Sequence, residues 1–150
     1  MAQDGFIVEI EQIENFRFGV HFTQSELMTD EPPPTGAGSG PQPAELLAAA
    51  VANCLMSSLL FCLNKSHVPP GPLKARAQGR LGRDATGRLR IAGIDVTLIA
   101  PGAPQRCLNL FENYCTVTQS VRAGVPINVA VIDDKGRVIY EDHPPPPNPS

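Results

Sequence analysis

The chain has 150 residues, 42% of them hydrophobic and 18% charged, with a net charge of -3. That length suits one domain with a single core, and the acidic balance argues against wholesale nucleic-acid binding, which usually needs a basic domain. Aromatic residues are sparse and Trp is absent, which argues equally against a stacking platform for single strands.

The N-terminal MAQDGFIVEIEQ has neither a basic n-region nor an apolar h-region, so a cytoplasmic protein is expected. Residues 6–13 and 16–22 read as strands joined by a turn at Glu14-Asn15. In the second, Phe16, Phe18, Val20 and Phe22 alternate with Arg17, Gly19 and His21, the period-two mark of a sheet with one buried face. Residues 29–40 (TDEPPPTGAGSG) form a long loop, because the prolines exclude helix and the glycines allow close backbone approach.

A helix then starts near Pro43, with Glu45 in its first turn, where a negative charge suits the positive end of the dipole. It runs to about Lys65 and is stopped by His67-Val68-Pro69-Pro70-Gly71-Pro72. Within it, Leu46 to Leu63 is an uncharged run of 18 residues, just long enough for a membrane span. Its Ala content, its Asn53, Ser57 and Ser58, and its place between strands favour the buried axis of a globular core instead. No membrane association is expected.

Residues 73–82 and 88–100 read as two strands around a turn at Asp84-Ala85-Thr86-Gly87. Lys74, Arg76, Arg80, Arg83, Arg88 and Arg90 lie on this hairpin. They suit a solvated edge that resists unwanted pairing, or an anionic partner. Gln105 to Tyr114 has helical spacing, and Cys115 to Ala123 is a further short helix ending at Gly124. Residues 126–133 and 136–140 form a terminal hairpin. The reading is one domain over residues 1–142, with 143–150 (HPPPPNPS) an extended, disordered tail. Strand pairs separated by helices predict an α+β fold with antiparallel sheets around the central helix. So apolar a helix needs cover on every side, which points to a homodimer.

Four cysteines carry the candidate chemistry: Cys54, Cys62, Cys107 and Cys115. No CxxC pair occurs and the three histidines are scattered, so zinc-ligand spacing is absent. Cys62, between Phe61 and Leu63, and Cys107, among apolar residues, read as small core hydrophobes. Cys54 has more polar neighbours and reads either as core or as a functional thiol. Cys115 begins a helix, where exposed N–H groups favour the reactive thiolate.

The segment GPQPAELLAAAVANC, followed some way downstream by ENYCTVTQSVRAGVPI, resembles the OsmC/Ohr family of thiol peroxidases. Asp30-Glu31-Pro32 before the Gly-rich loop is similar to an OsmC-like branch of that superfamily. The resemblance runs from about Phe6 to Tyr140. It implies two interlocked subunits with the cysteine-bearing helices at the centre. It implies that Cys54 attacks the O–O bond of an organic hydroperoxide or H2O2, becoming a sulfenic acid. Cys115 would then close a disulfide that an external dithiol reductant opens. No metal or organic cofactor is implied. Organic-hydroperoxide members carry Glu directly after the helix-start proline, paired with an Arg. Here that position is Ala44 and the acid is Glu45, with Arg17 or His21 the candidate supports for the thiolate. The alternative function is a non-catalytic OsmC-like protein that binds a small apolar ligand. A disulfide-stabilised structural protein is a third reading, disfavoured by the N-terminal sequence.

Overall fold

The computed structural model describes residues 5–69 and 71–142, so the Pro-rich tail lies outside the described residues. In chain order the elements are β1 (Glu9–Glu14), β2 (Arg17–His21), β3 (Glu26–Thr29), α1 (Pro43–Lys65), β4 (Lys74–Arg83), β5 (Leu89–Ile99), α2 (Gln105–Leu110), a 3-10 turn (Phe111–Tyr114), α3 (Thr116–Ala123), β6 (Val129–Ile132) and β7 (Val138–Asp142). The architecture is α+β with antiparallel sheets, as the alternation of strand pairs and helices predicted. β3 was not foreseen. Four residues, Glu-Leu-Met-Thr, are too few to display a period.

The chain divides into two compact units, one of residues up to Ala50 with Ala77–Val96, the other of Val51–Arg76 with the chain from Thr97 onward. In the first, β1, β2 and β3 form an antiparallel sheet in that order, with Glu9 opposite His21 and Gly19 opposite Met28. Asn15 turns between β1 and β2 in a left-handed conformation, φ 53°, which Asn tolerates better than most residues. On the predicted apolar face Val20 is buried and Phe18 half-buried, whereas Phe16 and Phe22 are exposed.

The loop after β3 is pinned by Asp30, a residue only 3% exposed. Its carboxylate accepts the Glu31 N–H (2.7 Å), the Ser39 N–H (3.1 Å) and the Ser39 hydroxyl (2.7 Å). These bonds, the Ser39 hydroxyl first, hold its pKa down at about 2. A Cβ at Gly36 would run into the Glu31 carbonyl and one at Gly40 into the Met28 carbonyl, so the backbone closes on itself only with glycine there.

The start of α1 belongs to this unit. Gln42 is its cap: the Glu45 and Leu46 N–H groups donate to the Gln42 carbonyl, and Glu45 Oε1 accepts the Gln42 N–H at 3.1 Å. Three of the six basic residues of the hairpin find partners on the hairpin. Arg80 pairs with Asp95 (2.7 Å), Arg90 with Asp84 (3.1 Å), and Arg83 donates to the Gly87 carbonyl.

In the second unit, α1 ends with His67 left-handed (φ 54°) and the Val68 N–H donating to the Leu63 carbonyl at 3.0 Å. That six-to-one bond, with Val68 packed on the core beside Leu63, ends the helix before the prolines are reached. The buried residues of α1 are Val51, Ala52, Leu55, Leu59 and Leu63, a single stripe at helical spacing. Leu59, Leu63 and Cys107 form the centre of the core, with Leu73, Leu98 and Phe111 against it. Each such leucine contributes about 1.5–3 kcal/mol. Burial on every side of α1 is not met within one chain, since Phe61 is 63% exposed. The helix is long and apolar enough to cross a membrane, but its stripe already serves a protein core. α3 ends at Gly124, left-handed at φ 72°, as predicted.

Candidate active site

Two thiols meet in the second unit. Cys54 lies on α1, half-buried; Cys115 is the N-cap of α3, in extended conformation (φ -81°, ψ 97°), and is 0% exposed. Both are free, and their side chains are in hydrogen-bonding contact. The two cysteines that the sequence singled out are thus neighbours.

The first turn of α3 explains the setting. Helix N-termini leave N–H groups without intrahelical partners. Those of Val117 and Thr116 face the Cys54 sulfur, and that of Thr118 faces Cys115. Thr118, itself buried, places Oγ1 3.0 Å from Cys115 Sγ. The Ser58 hydroxyl, one turn beyond Cys54 on α1, also reaches Cys115.

These donors split the pair. Burial pushes the Cys54 thiol up, and its neighbour Cys115 adds to the rise, against the pull of the Val117 and Thr116 N–H groups. Burial also acts upward on Cys115. There it is outweighed by the Thr118 hydroxyl, the Cys54 thiol, the Thr118 N–H and the Ser58 hydroxyl, so its pKa falls. These contacts favour the first negative charge of the pair on Cys115 rather than on Cys54. Accessibility runs the other way, because only Cys54 can be reached from outside.

The remaining candidates lie in the first unit. The Glu45 carboxylate caps Gln42. Arg17 donates Nε to Ser39 Oγ (3.3 Å) and sits 3.9 Å from Glu14. His21 lies between Glu26 (3.1 Å) and Glu11 (3.5 Å). Each has a polar partner there. Ala44 lines a cavity of about 520 Å³ with Glu45, Ala48, Leu81, Arg90 and Ile94. Among the described residues no cluster of His, Cys, Asp or Glu could hold a metal ion.

Thr118 and Ser58 were not singled out from sequence. Their signal was present: Thr118 follows Cys115 by three residues and Ser58 follows Cys54 by four, the spacings that share a helix face. Cys62 and Cys107 depart from expectation. Cys107 is buried at the heart of the core as predicted, but it is joined to Cys62 by a disulfide across 45 residues.

The architecture is an antiparallel α+β fold in which α1 and the N-terminus of α3 bring two free thiols near one another. The chain belongs to the OsmC-like family, whose model, described as OsmC-like protein, matches residues 36–130. The fold is similar to that of an OsmC-like protein from Mycoplasma pneumoniae (13% identity, 83% of this chain and 91% of that one, TM-score 0.69). It is also similar to an organic hydroperoxide resistance protein from Elizabethkingia anophelis (19% identity, 82% and 93%, TM-score 0.60) and to the organic hydroperoxide resistance protein OhrB of Bacillus subtilis (18% identity, 79% and 93%, TM-score 0.61). No curated protein matches the chain.

Proposed function

We propose that this protein defends against oxidative stress by reducing organic hydroperoxides or H2O2 with Cys54 and Cys115. The observation that carries this reading is the contact of two free thiols, one reachable and the other buried among donors that favour its charge. Cys54 is the sulfur a peroxide meets. As it attacks, its proton passes to Cys115, and the Cys54 thiolate takes the distal oxygen. The O–O bond breaks, the alkoxide leaves as alcohol with the proton from Cys115, and Cys54 becomes a sulfenic acid. The Cys115 thiolate then displaces hydroxide from that sulfur to form the disulfide. An external dithiol returns both cysteines to thiols by exchange and is itself oxidised to a disulfide.

Glu45 contributes by fixing the first turn of α1. The scheme calls on no metal or organic cofactor. The exposed apolar side chains of α1 and of the β6–β7 hairpin, Phe61, Ile132 and Ile139 among them, support a homodimer, and the chemistry suits the cytoplasm. The test is turnover of cumene hydroperoxide with a dithiol reductant. Cys54→Ser abolishes it, and Cys115→Ser, which loses both the proton acceptor and the resolving sulfur, permits one slowed reduction and then stalls. A Cys54→Ser chain as active as wild type refutes the proposal. The upward shift of the Cys54 thiol favours one second reading, a non-catalytic protein that binds a small apolar ligand. In that case Cys54 stays unreactive toward peroxide across the neutral range.

A further inference from the structure

The four cysteines form two pairs that bridge the same two stretches of chain. Cys54 and Cys62 are eight residues apart on α1, and Cys107 and Cys115 are eight apart across α2 and the 3-10 turn. Cys54 meets Cys115, and Cys62 is bonded to Cys107. The two stretches therefore run antiparallel in a single register. Along α1 the pairs are separated by about 12 Å at the helical rise, too far for direct exchange between them. The Cys62–Cys107 bond instead fixes where α2 lies on α1. Through α2 it fixes the 3-10 turn, whose Phe111 packs on the same core and whose Glu112 carbonyl accepts the Cys115 N–H at 3.2 Å.

The surroundings of the bond suit its opening from one side. Cys107 is fully buried while Cys62 is only half-buried, so an incoming thiolate meets the Cys62 sulfur. Ser66 Oγ lies 3.7 Å from Cys107 Sγ. A disulfide sulfur carries no hydrogen, so the hydroxyl is the donor. Arg106 Nη1 donates to the same Ser66 oxygen at 3.4 Å. A guanidinium can only donate, which leaves the hydroxyl hydrogen for the sulfur. Cys107 is thereby equipped to depart as a thiolate.

We propose that Cys62–Cys107 is a second, exchangeable thiol–disulfide centre, opened by an external dithiol through Cys62, whose closed form holds Cys115 in register with Cys54. One thiolate of the dithiol bonds to the Cys62 sulfur, the old S–S bond breaks, and Cys107 leaves with the electron pair and takes a proton. The second thiol of the reagent then displaces Cys62. The dithiol ends as a disulfide and both cysteines as thiols. This rests on Cys54 and Cys115 forming the redox pair of the proposed function, but not on peroxide being their oxidant.

A Cys54→Ser, Cys115→Ser chain isolates the second pair. Under native conditions dithiothreitol should open its bond, read by alkylation and mass as two modified cysteines, and Ser66→Ala should slow the opening about tenfold. In a Cys62→Ala, Cys107→Ala chain, closure of Cys54–Cys115 driven by diamide should slow at least about tenfold, with the far-ultraviolet circular dichroism of wild type. If that chain does not fold, Cys107→Ser, which nearly preserves the side-chain size, carries the same comparison. A bond that opens only when the chain unfolds overturns the proposal, and so does closure at the wild-type rate without it. Diamide oxidises thiols without peroxide, so either failure is distinct from a chain inert toward hydroperoxides.

Discussion

Replacing Thr118 by Val tests the electrostatics of the thiol pair most directly. Valine keeps the β-branched shape in a helix and removes only the hydroxyl. That hydroxyl lies 3.0 Å from Cys115 Sγ, with both residues buried, so water cannot take its place. A hydrogen bond to a charged group is worth about 1.5–3 kcal/mol net, and one to the neutral thiol about 0.5–1.5. The charged form therefore loses about 1–2 kcal/mol more than the neutral form. At 1.36 kcal/mol per unit, the first ionisation of the pair should rise by about one pKa unit. The Cys54 thiol, the Thr118 N–H and the Ser58 hydroxyl remain and keep the shift from being larger. Titration by ultraviolet thiolate absorbance measures it as a property of the pair. Closure of Cys54–Cys115 by diamide at neutral pH should slow up to about tenfold, in step with the thiolate population. An unchanged or lowered midpoint would refute the assignment of the charge to Cys115.

Three further outcomes follow from the packing and the loop. Leu59→Ala, at a site 1% exposed in the centre of the core, should lower the unfolding free energy by about 2–5 kcal/mol in urea titrations; a loss under about 1 kcal/mol would mean the site collapses or is not core. Asp30 has a folded pKa near 2 against 3.8 unperturbed, so its stabilising contribution is complete above about pH 4 and disappears as the pH falls toward 2. The gap in urea midpoint between wild type and Asp30→Asn should accordingly be widest near neutral pH and close on acidification. Glu45→Gln retains an oxygen that can accept the Gln42 N–H and should keep kcat within about twofold, while Glu45→Ala should lose about 0.5–1 kcal/mol of stability. A collapse of kcat in the Gln variant with stability intact would give Glu45 a direct part in the reaction.

Much of the fold was legible because its signals are local. Pro43 and Lys65 bracket α1 in the sequence as they do in the structure, and Gly124 ends α3 where a left-handed residue was required. The alternation around Phe18 and Val20 marked β2. What escaped were features that depend on distant partners. β3 is too short for a period and is held by its pairing with β2, from Phe18 opposite Thr29 to His21 opposite Glu26. Asp30 looked like one acid in a Pro/Gly loop, and only the approach of Ser39 turns it into the loop's anchor. The helix stop fell within the predicted His67–Pro72 segment, but its means, the left-handed His67 and the Val68–Leu63 bond, were not visible in sequence.

The site shows the same division more sharply. Two cysteine motifs far apart in sequence drew attention to Cys54 and Cys115 through the family resemblance, yet composition and spacing could not say which thiol is the more acidic. That depends on where the first turn of α3 aims its N–H groups and on the reach of Thr118 and Ser58, all of them short-range and directional effects. The result is a separation of duties that neither cysteine shows alone. The more exposed sulfur is raised by burial, and the sulfur whose pKa is lowered is sealed from solvent. In the proposed scheme contact reconciles the two, because a proton shared between them lets the more exposed sulfur become nucleophilic as its partner accepts that proton. In the proposed scheme the buried thiol is then both the acceptor of that proton and, once Cys54 is oxidised, the neighbouring group that closes the disulfide.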